Sequence, residues 1–207
     1  MQREKIVVSN EGGLLEDAIL SFIEPGSSVL DVGSGIAHYT IALAKRAGRL
    51  TLLDAHQPYL DRTLAVLVNV RRSDGSPIAV SSRCGDASVI FKGCVRQARA
   101  DVLGDLPPYD YALAIDVIEH MPPEDGRAVI EGMKVIASGV ALFIPEGAHP
   151  QHADPYGMGG DHWQTHRSTW FAKDLEALGF TVERWLGFHR NAGHGKEPNA
   201  LWATWRR

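Results

Sequence analysis

Four aspartates stand at or near the ends of short apolar runs: Asp31 in SVLDVGSG, Asp54 in LTLLD, Asp86 in CGDA and Asp116 in YALAIDVIEH. Apolar runs of this length, bounded by turn residues, read as buried strands. Ligands of open α/β sheets bind at the carboxyl ends of the strands, so the four carboxylates are expected to converge on one site. Clustered carboxylates repel a pyrophosphate and suit a cation. Gly33 and Gly35 follow Asp31. They make either a plain tight turn or a cradle whose missing side chains let a ligand reach the backbone.

The residues around the glycines narrow the ligand. A dinucleotide fingerprint wants a third glycine where His38 stands, and no Lys follows at P-loop spacing. Nicotinamide, flavin and nucleoside triphosphate patterns therefore fail. Asp54 can accept both hydroxyl hydrogen bonds of a ribose, or it can cap the helix that begins near Pro58. Asp86 can accept from an adenine amino group. S-adenosylmethionine, which carries an ammonium and a sulfonium, suits such an acidic pocket better than a diphosphate does.

Histidines supply the other chemistry. His120 in DVIEHM is a candidate base or acceptor-orienting group, with a structural role as the competing reading. The segment 145–168 begins PEGAHPQHADPYGMGGDHWQTHR and shows neither helical nor strand period. A loop of that length in a small domain is usually functional or disordered. It is expected to recognise the acceptor, with His162 and His166 as candidate catalytic residues beside His149, His152, Asp154, Tyr156 and Trp163. The pairs HPQH and HWQTH, with Asp154 and Asp161 nearby, raise metal ligation. Trp163 stands where HExxH needs glutamate, and Gly159-Gly160 disfavours the helix that would align the rings. No metal is expected. A solvated histidine-rich loop is the plain alternative.

These residues need a scaffold. Strands are expected at Ser28–Val32, Leu50–Asp54, Ile78–Arg83, Tyr111–Asp116, Gly139–Ile144, Phe180–Phe188 and Ala200–Trp205. Helical patterns fill the gaps at Thr40–Ala47, Tyr59–Val70 and Asp125–Ile136, after an opening helix through Leu14, Leu15, Ala18, Ile19 and Phe22. Alternation of this kind implies a mostly parallel sheet with helices on both faces. The last two strands are joined by HRNAGHGKEP, which leaves no room for a crossover helix, so the final strand should run antiparallel. Ser168 or Thr169 is expected to cap a helix ending near Gly179.

Composition sets the outer bounds. The 207 residues, 44% of them hydrophobic, fit one domain spanning 1–207, with residues 1–27 as a helical lead-in. A net charge of −4 without a basic stripe argues against nucleic acid. Cys84 and Cys94 have no metal-type spacing and read as structural thiols in a reducing cytosol. The opening MQREKIVVSN lacks a signal-like apolar region, and no run approaches a bilayer span, so a cytoplasmic protein is expected. The composition is silent on oligomeric state.

The ordered set VLDVGSGIA, LLD, CGDA and YDYALAIDVIEHM resembles the class I S-adenosylmethionine-dependent methyltransferases, with a weaker match through TWFAKDLEALGF and the final strands. The resemblance covers about Ser28 to Trp205. It implies a Rossmann-like α/β fold with seven strands ordered 3-2-1-4-5-7-6 and the last antiparallel. It also implies that Asp31, Gly33 and Gly35 surround the methionine part of S-adenosylmethionine. Asp54 would hold the ribose, Asp86 with Ala87 the adenine, and Asp116 with Val117 would close the pocket. Many members carry a third glycine where Ala37 stands, and FKGCVRQARADVLGDLPP is longer than usual. DNA amino-methylation usually needs an NPPY-like motif, where this chain has Asp116-Val117-Ile118-Glu119. A small-molecule, sugar or lipid-linked acceptor is expected, with oxygen favoured as the acceptor atom. A non-catalytic cofactor-binding sensor or scaffold is the alternative.

Overall fold

The structure is a computed structural model that describes residues 3–6, 13–72, 75–97, 108–188 and 199–207. The stretches 98–107 and 189–198, and the thiol of Cys94, lie outside the described residues. Eight strands form one sheet: β1 (Arg3–Ile6), β2 (Ser28–Val32), β3 (Arg49–Asp54), β4 (Val80–Cys84), β5 (Tyr109–Ile115), β6 (Ala137–Pro145), β7 (Thr181–Leu186) and β8 (Ala200–Arg206). Their order is β1-β7-β8-β6-β5-β2-β3-β4. The seven expected strands thus lie in the order 3-2-1-4-5-7-6. β8 pairs antiparallel with both β6 and β7, as the short connection between the last two strands requires.

β1 is an addition. The lead-in 1–27 reads as helical, yet Arg3–Ile6 pair in parallel with Glu183–Leu186 of β7. Helix begins only at α1 (Leu14–Phe22). Four residues are too few to show a period, and the pairing satisfies backbone groups that β7 would otherwise leave open at the sheet edge. The opposite edge, β4, turns Ser81, Ser82 and Arg83 to solvent, which blunts it.

Helices α2 (Thr40–Arg46), α3 (Gln57–Leu67), α4 (Ala87–Gln97), α5 (Pro123–Ile136), α6 (Asp161–Gln164) and α7 (Ala172–Ala177) complete the chain. Alternate residues of the central strands feed two cores. Leu30, Ala112, Val140 and Leu142 pack beneath Phe91 of α4, Ile130 and Met133 of α5 and Leu175 of α7. Val29, Leu113, Ala141 and Phe143 meet Ile19 of α1, Leu43 of α2 and Leu60 of α3. The period of two along each strand divides them in this way. Strands buried on both faces hold the carboxyl ends of β2, β3 and β5 side by side.

Candidate active site

At those carboxyl ends opens a cleft of about 310 Å³. Gly33, Gly35, Asp54, Asp86, Ala87, Asp116, Val117 and His120 line it, joined by Tyr59, Met121, Asp125, His162, Trp163 and Arg167. All but one of the expected cofactor residues therefore share one cavity. The exception is Asp31.

Asp31 is 5% exposed and does not line the cleft. One of its carboxylate oxygens accepts from the Thr40 hydroxyl at 3.0 Å, which ties the end of β2 to the start of α2. Burial pushes its carboxyl up to about 7, against the lowering effect of the Thr40 bond. The chain passes into the turn with this side chain beneath it, bonded to Thr40.

Asp54 does face the cleft. Its two oxygens accept from the Gly35 and His56 N–H groups, each at 2.9 Å. The end of β3 thus clamps the glycine turn, and Thr63 of α3 adds a hydroxyl bond to the Gly35 carbonyl at 2.7 Å. Burial raises the Asp54 carboxyl, while the two N–H bonds pull it back. Each carboxylate oxygen has capacity for another donor. The cap and ligand readings of Asp54 are therefore compatible. Asp86 resembles it, accepting from Ser88 N–H at 2.8 Å at the head of α4 while lining the cleft.

Gly33 shows why two distant motifs meet. A Cβ added there would lie 2.4 Å from a methyl of Val117, so only glycine lets the turn after β2 pack against the turn after β5. At Gly35 the nearest atom to such a Cβ would be the Gly33 carbonyl at 3.9 Å, so this backbone surface stands open to a ligand. Asp116 has φ of +52° and donates its N–H to the Phe143 carbonyl at 2.8 Å, which turns its carboxylate into the cleft. Surrounding protein raises that carboxyl, and the side chain's exposure to cleft water moderates the rise.

A single 3₁₀ turn, Ile118–His120, follows Asp116. Burial, together with the neighbouring His166, holds the His120 ring down to about 4, so it is neutral at pH 7. A proton affinity that low makes a weak base at neutral pH. The ring stacks edge-on against His166 with centroids 4.7 Å apart.

The segment after β6 is an organised arch. Asp154 accepts from the N–H groups of Tyr156, Met158 and Gly160 at 2.7–3.0 Å, while Asp161 accepts from Asp154 N–H. These two acids thus shape the loop. Tyr156 packs against His38 and Tyr59, and a His56 ring nitrogen lies 2.8 Å from the Met158 carbonyl, which brings the arch over the glycine turn. Its other end is sewn to the 3₁₀ turn: Arg167 and Ser168 N–H donate to the Glu119 carbonyl, and the Arg167 guanidinium donates to the His120 carbonyl at 2.7 Å. His162 is exposed on the cleft rim against Trp163. His166 turns away from the cleft wall toward His120 and His149.

The expected cap at Ser168 or Thr169 is replaced. Ser168 donates its hydroxyl to the Ile118 carbonyl at 3.2 Å, and α7 starts at Ala172 with Asp174 accepting from Phe171 N–H. Tyr59, Met121 and Asp125 lacked a sequence signal as cleft residues. Tyr59 lies in the first turn of α3, just beyond Asp54, while Asp125, at the start of α5, pairs with Lys92 of α4.

No protein-family model and no curated protein matches the sequence. Solved structures do match. Magnesium protoporphyrin IX methyltransferase from Synechocystis, solved with bound SAM, is 15% identical with a TM-score of 0.57 over 92% of this chain and 78% of that one. The N-methyltransferase NodS from Bradyrhizobium japonicum is 14% identical with a TM-score of 0.61, covering 96% and 98%. DhpI in complex with SAH is 17% identical with a TM-score of 0.57, covering 92% and 80%. This is the class I methyltransferase fold. In it the present chain adds β1 at the sheet edge and carries a buried aspartate, Asp31, beneath its glycine turn. No helix among the described residues is long and apolar enough to cross a membrane.

Proposed function

We propose that the protein is an S-adenosylmethionine-dependent methyltransferase acting on a small-molecule, sugar or lipid-linked acceptor, with oxygen as the favoured acceptor atom. The observation that carries this reading is the cleft floor. An open glycine turn is clamped by Asp54, and Asp54, Asp86 and Asp116 present three carboxylates to one cavity. Walls of that sign fit a ligand bearing ammonium and sulfonium charges. When bound, S-adenosylmethionine supplies an activated methyl group for in-line displacement.

Each residue then has a position to hold. Asp54 takes the ribose hydroxyls, Asp86 and Ala87 the adenine, and Gly33, Gly35, Asp116 and Val117 the methionine end. Asp31 acts from beneath, fixing the turn through Thr40. The arch from Pro145 to Arg167 excludes water above the cleft, and His162 on its rim meets the acceptor. His120 forms part of the wall between the cofactor and acceptor halves. Exclusion of water and orientation of the two reactants are what the protein contributes to such a transfer.

Calorimetry tests the reading. Saturable binding of S-adenosylmethionine and its demethylated product is expected. Asp54→Ala should weaken it by at least about 30-fold, as loss of charge-assisted hydrogen bonds requires. Absence of binding for both ligands would overturn the proposal. Labelled-methyl transfer into fractionated cell extract separates an enzyme from a cofactor-binding scaffold.

A further inference from the structure

At the stretch of cleft wall that His120 lines, tertiary packing gathers Glu119, His120 and His166. One potential ligand atom from each lies within 4.8 Å of the others. Glu119 is 2% exposed, and neither of its carboxylate oxygens meets a hydrogen-bond partner among the described residues. The Nδ1 of His120 is likewise buried and without a partner. A buried carboxylate is normally paired or bound to a metal, because leaving it unmatched is costly. Arg167 and Ser168 do not relieve it, since they bond only the main-chain carbonyl of Glu119.

The third member has the support that metal-bound histidines usually show. His166 directs Nδ1 at the carbonyl of His149, a contact that orients the ring and assigns the ligand role to Nε2. Two imidazoles and one carboxylate suit a divalent transition ion of zinc's class, whereas magnesium and calcium prefer oxygen ligands throughout. Metal–ligand bonds of about 2.0–2.2 Å place the ligand atoms of a tetrahedral site roughly 3–4 Å apart. Closing the observed group needs side-chain shifts of about an ångström or less.

We propose that Glu119, His120 and His166 form a three-ligand site for a divalent transition-metal ion, whose remaining position takes an oxygen of the acceptor. Three protein ligands with one open position is the pattern of reactive rather than structural zinc sites. The sequence pairs HPQH and HWQTH concealed this arrangement, because the fold draws a single histidine from the second pair and matches it with the turn after β5. His152 lies exposed elsewhere on the arch, and His162 lies on the cleft rim. The acceptor half of the inference rests on the methyltransferase reading, while the metal half stands apart from it.

The test uses the full chain, stripped with chelator and titrated with Co²⁺, then Zn²⁺. One equivalent of Co²⁺ should bind with visible ligand-field bands and be displaced by Zn²⁺. Glu119→Gln and His166→Ala should each weaken Co²⁺ binding by at least tenfold, and His152→Ala should leave it unchanged. Acetohydroxamate, a small oxygen chelator, should shift the bands by entering the open position. Failure to bind Co²⁺ and Zn²⁺, or equal affinity in the Glu119 and His166 variants, would overturn the metal site. Bands that acetohydroxamate cannot shift would overturn the acceptor role. Calorimetry with the demethylated cofactor on the same samples should show affinity within threefold across the variants. Absence of that binding in the parent chain would refute the methyltransferase reading and leave the metal result intact.

Discussion

Ala37 occupies a backbone state that alanine tolerates poorly, with φ of +78° in the turn after Gly35. An L-residue there costs roughly 1–2 kcal/mol, and glycine's extra freedom in the unfolded chain returns about half of that. Ala37→Gly should therefore stabilise the protein by about 0.5–1 kcal/mol, a rise of about 1–4 °C in Tm for a domain this size. Scanning calorimetry checks it, and a fall in Tm would contradict the strain. Asp31 sets a second residue-scale expectation. Its folded carboxyl is raised to about 7 by burial, so the folded state holds the proton more tightly than the unfolded chain. Stability is then lost as pH rises from about 4 to about 7 and is constant above that window. Asp31→Asn keeps an acceptor for Thr40 and removes the charge. Its stability gain over the parent should be small at pH 4.5 and largest near pH 7.5, as measured by urea unfolding.

Among the elements, the arch after β6 has the most testable construction. Burial alone would raise the Asp154 carboxyl, but N–H donors from Gly160, Tyr156 and Met158, with the Tyr59 hydroxyl nearby, hold it at about 2. A depressed folded pKa means the contribution is complete above about pH 4 and lost as pH falls toward 2. Asp154→Ala should expose the arch at neutral pH. Protease cleavage within 147–166 and amide exchange should both rise severalfold while global Tm moves little, because the hydrophobic cores lie under the sheet helices. Unchanged protection would show that aromatic packing by Tyr156 holds the arch alone. Arg167→Ala addresses the other anchor, since it removes the link between the His120 carbonyl and the loop. It should lower methyl-transfer turnover more than cofactor affinity, and an equal loss of both would place the arch on the cofactor instead.

For the whole molecule, β6 is the central test. Leu142 and Phe143 point to opposite faces of that strand, and both are fully buried. Leu142→Ala should cost about 2–5 kcal/mol, because rigid neighbours in a two-sided core cannot close the cavity. Ligand linkage acts at the same scale. If the demethylated cofactor binds the folded chain alone, a concentration of one hundred times its Kd should add about 2.7 kcal/mol of stability. A thermal shift that does not grow with ligand concentration would contradict a preformed cleft.

The parallel alternation, the reversed last strand and the acids at the ends of β3, β4 and β5 were legible in the residues, while the strand order came only with the family resemblance. Periodicity, turn residues and connection length are local quantities, and together they restrict an alternating α/β chain to few topologies. Side-chain direction at a strand end was not legible: Asp31 turns under the glycine loop to Thr40, while Asp54 and Asp116 face the cleft. β1 was hidden because four residues carry no period, and only the edge it pairs with gives it a reason to be extended. The histidines show the division most clearly. Sequence spacing pairs neighbours along the chain, whereas the fold sets His166 against His120 and Glu119 from another element. That choice is made by the arch's hydrogen bonds to the turn after β5, which are long-range contacts with no local trace.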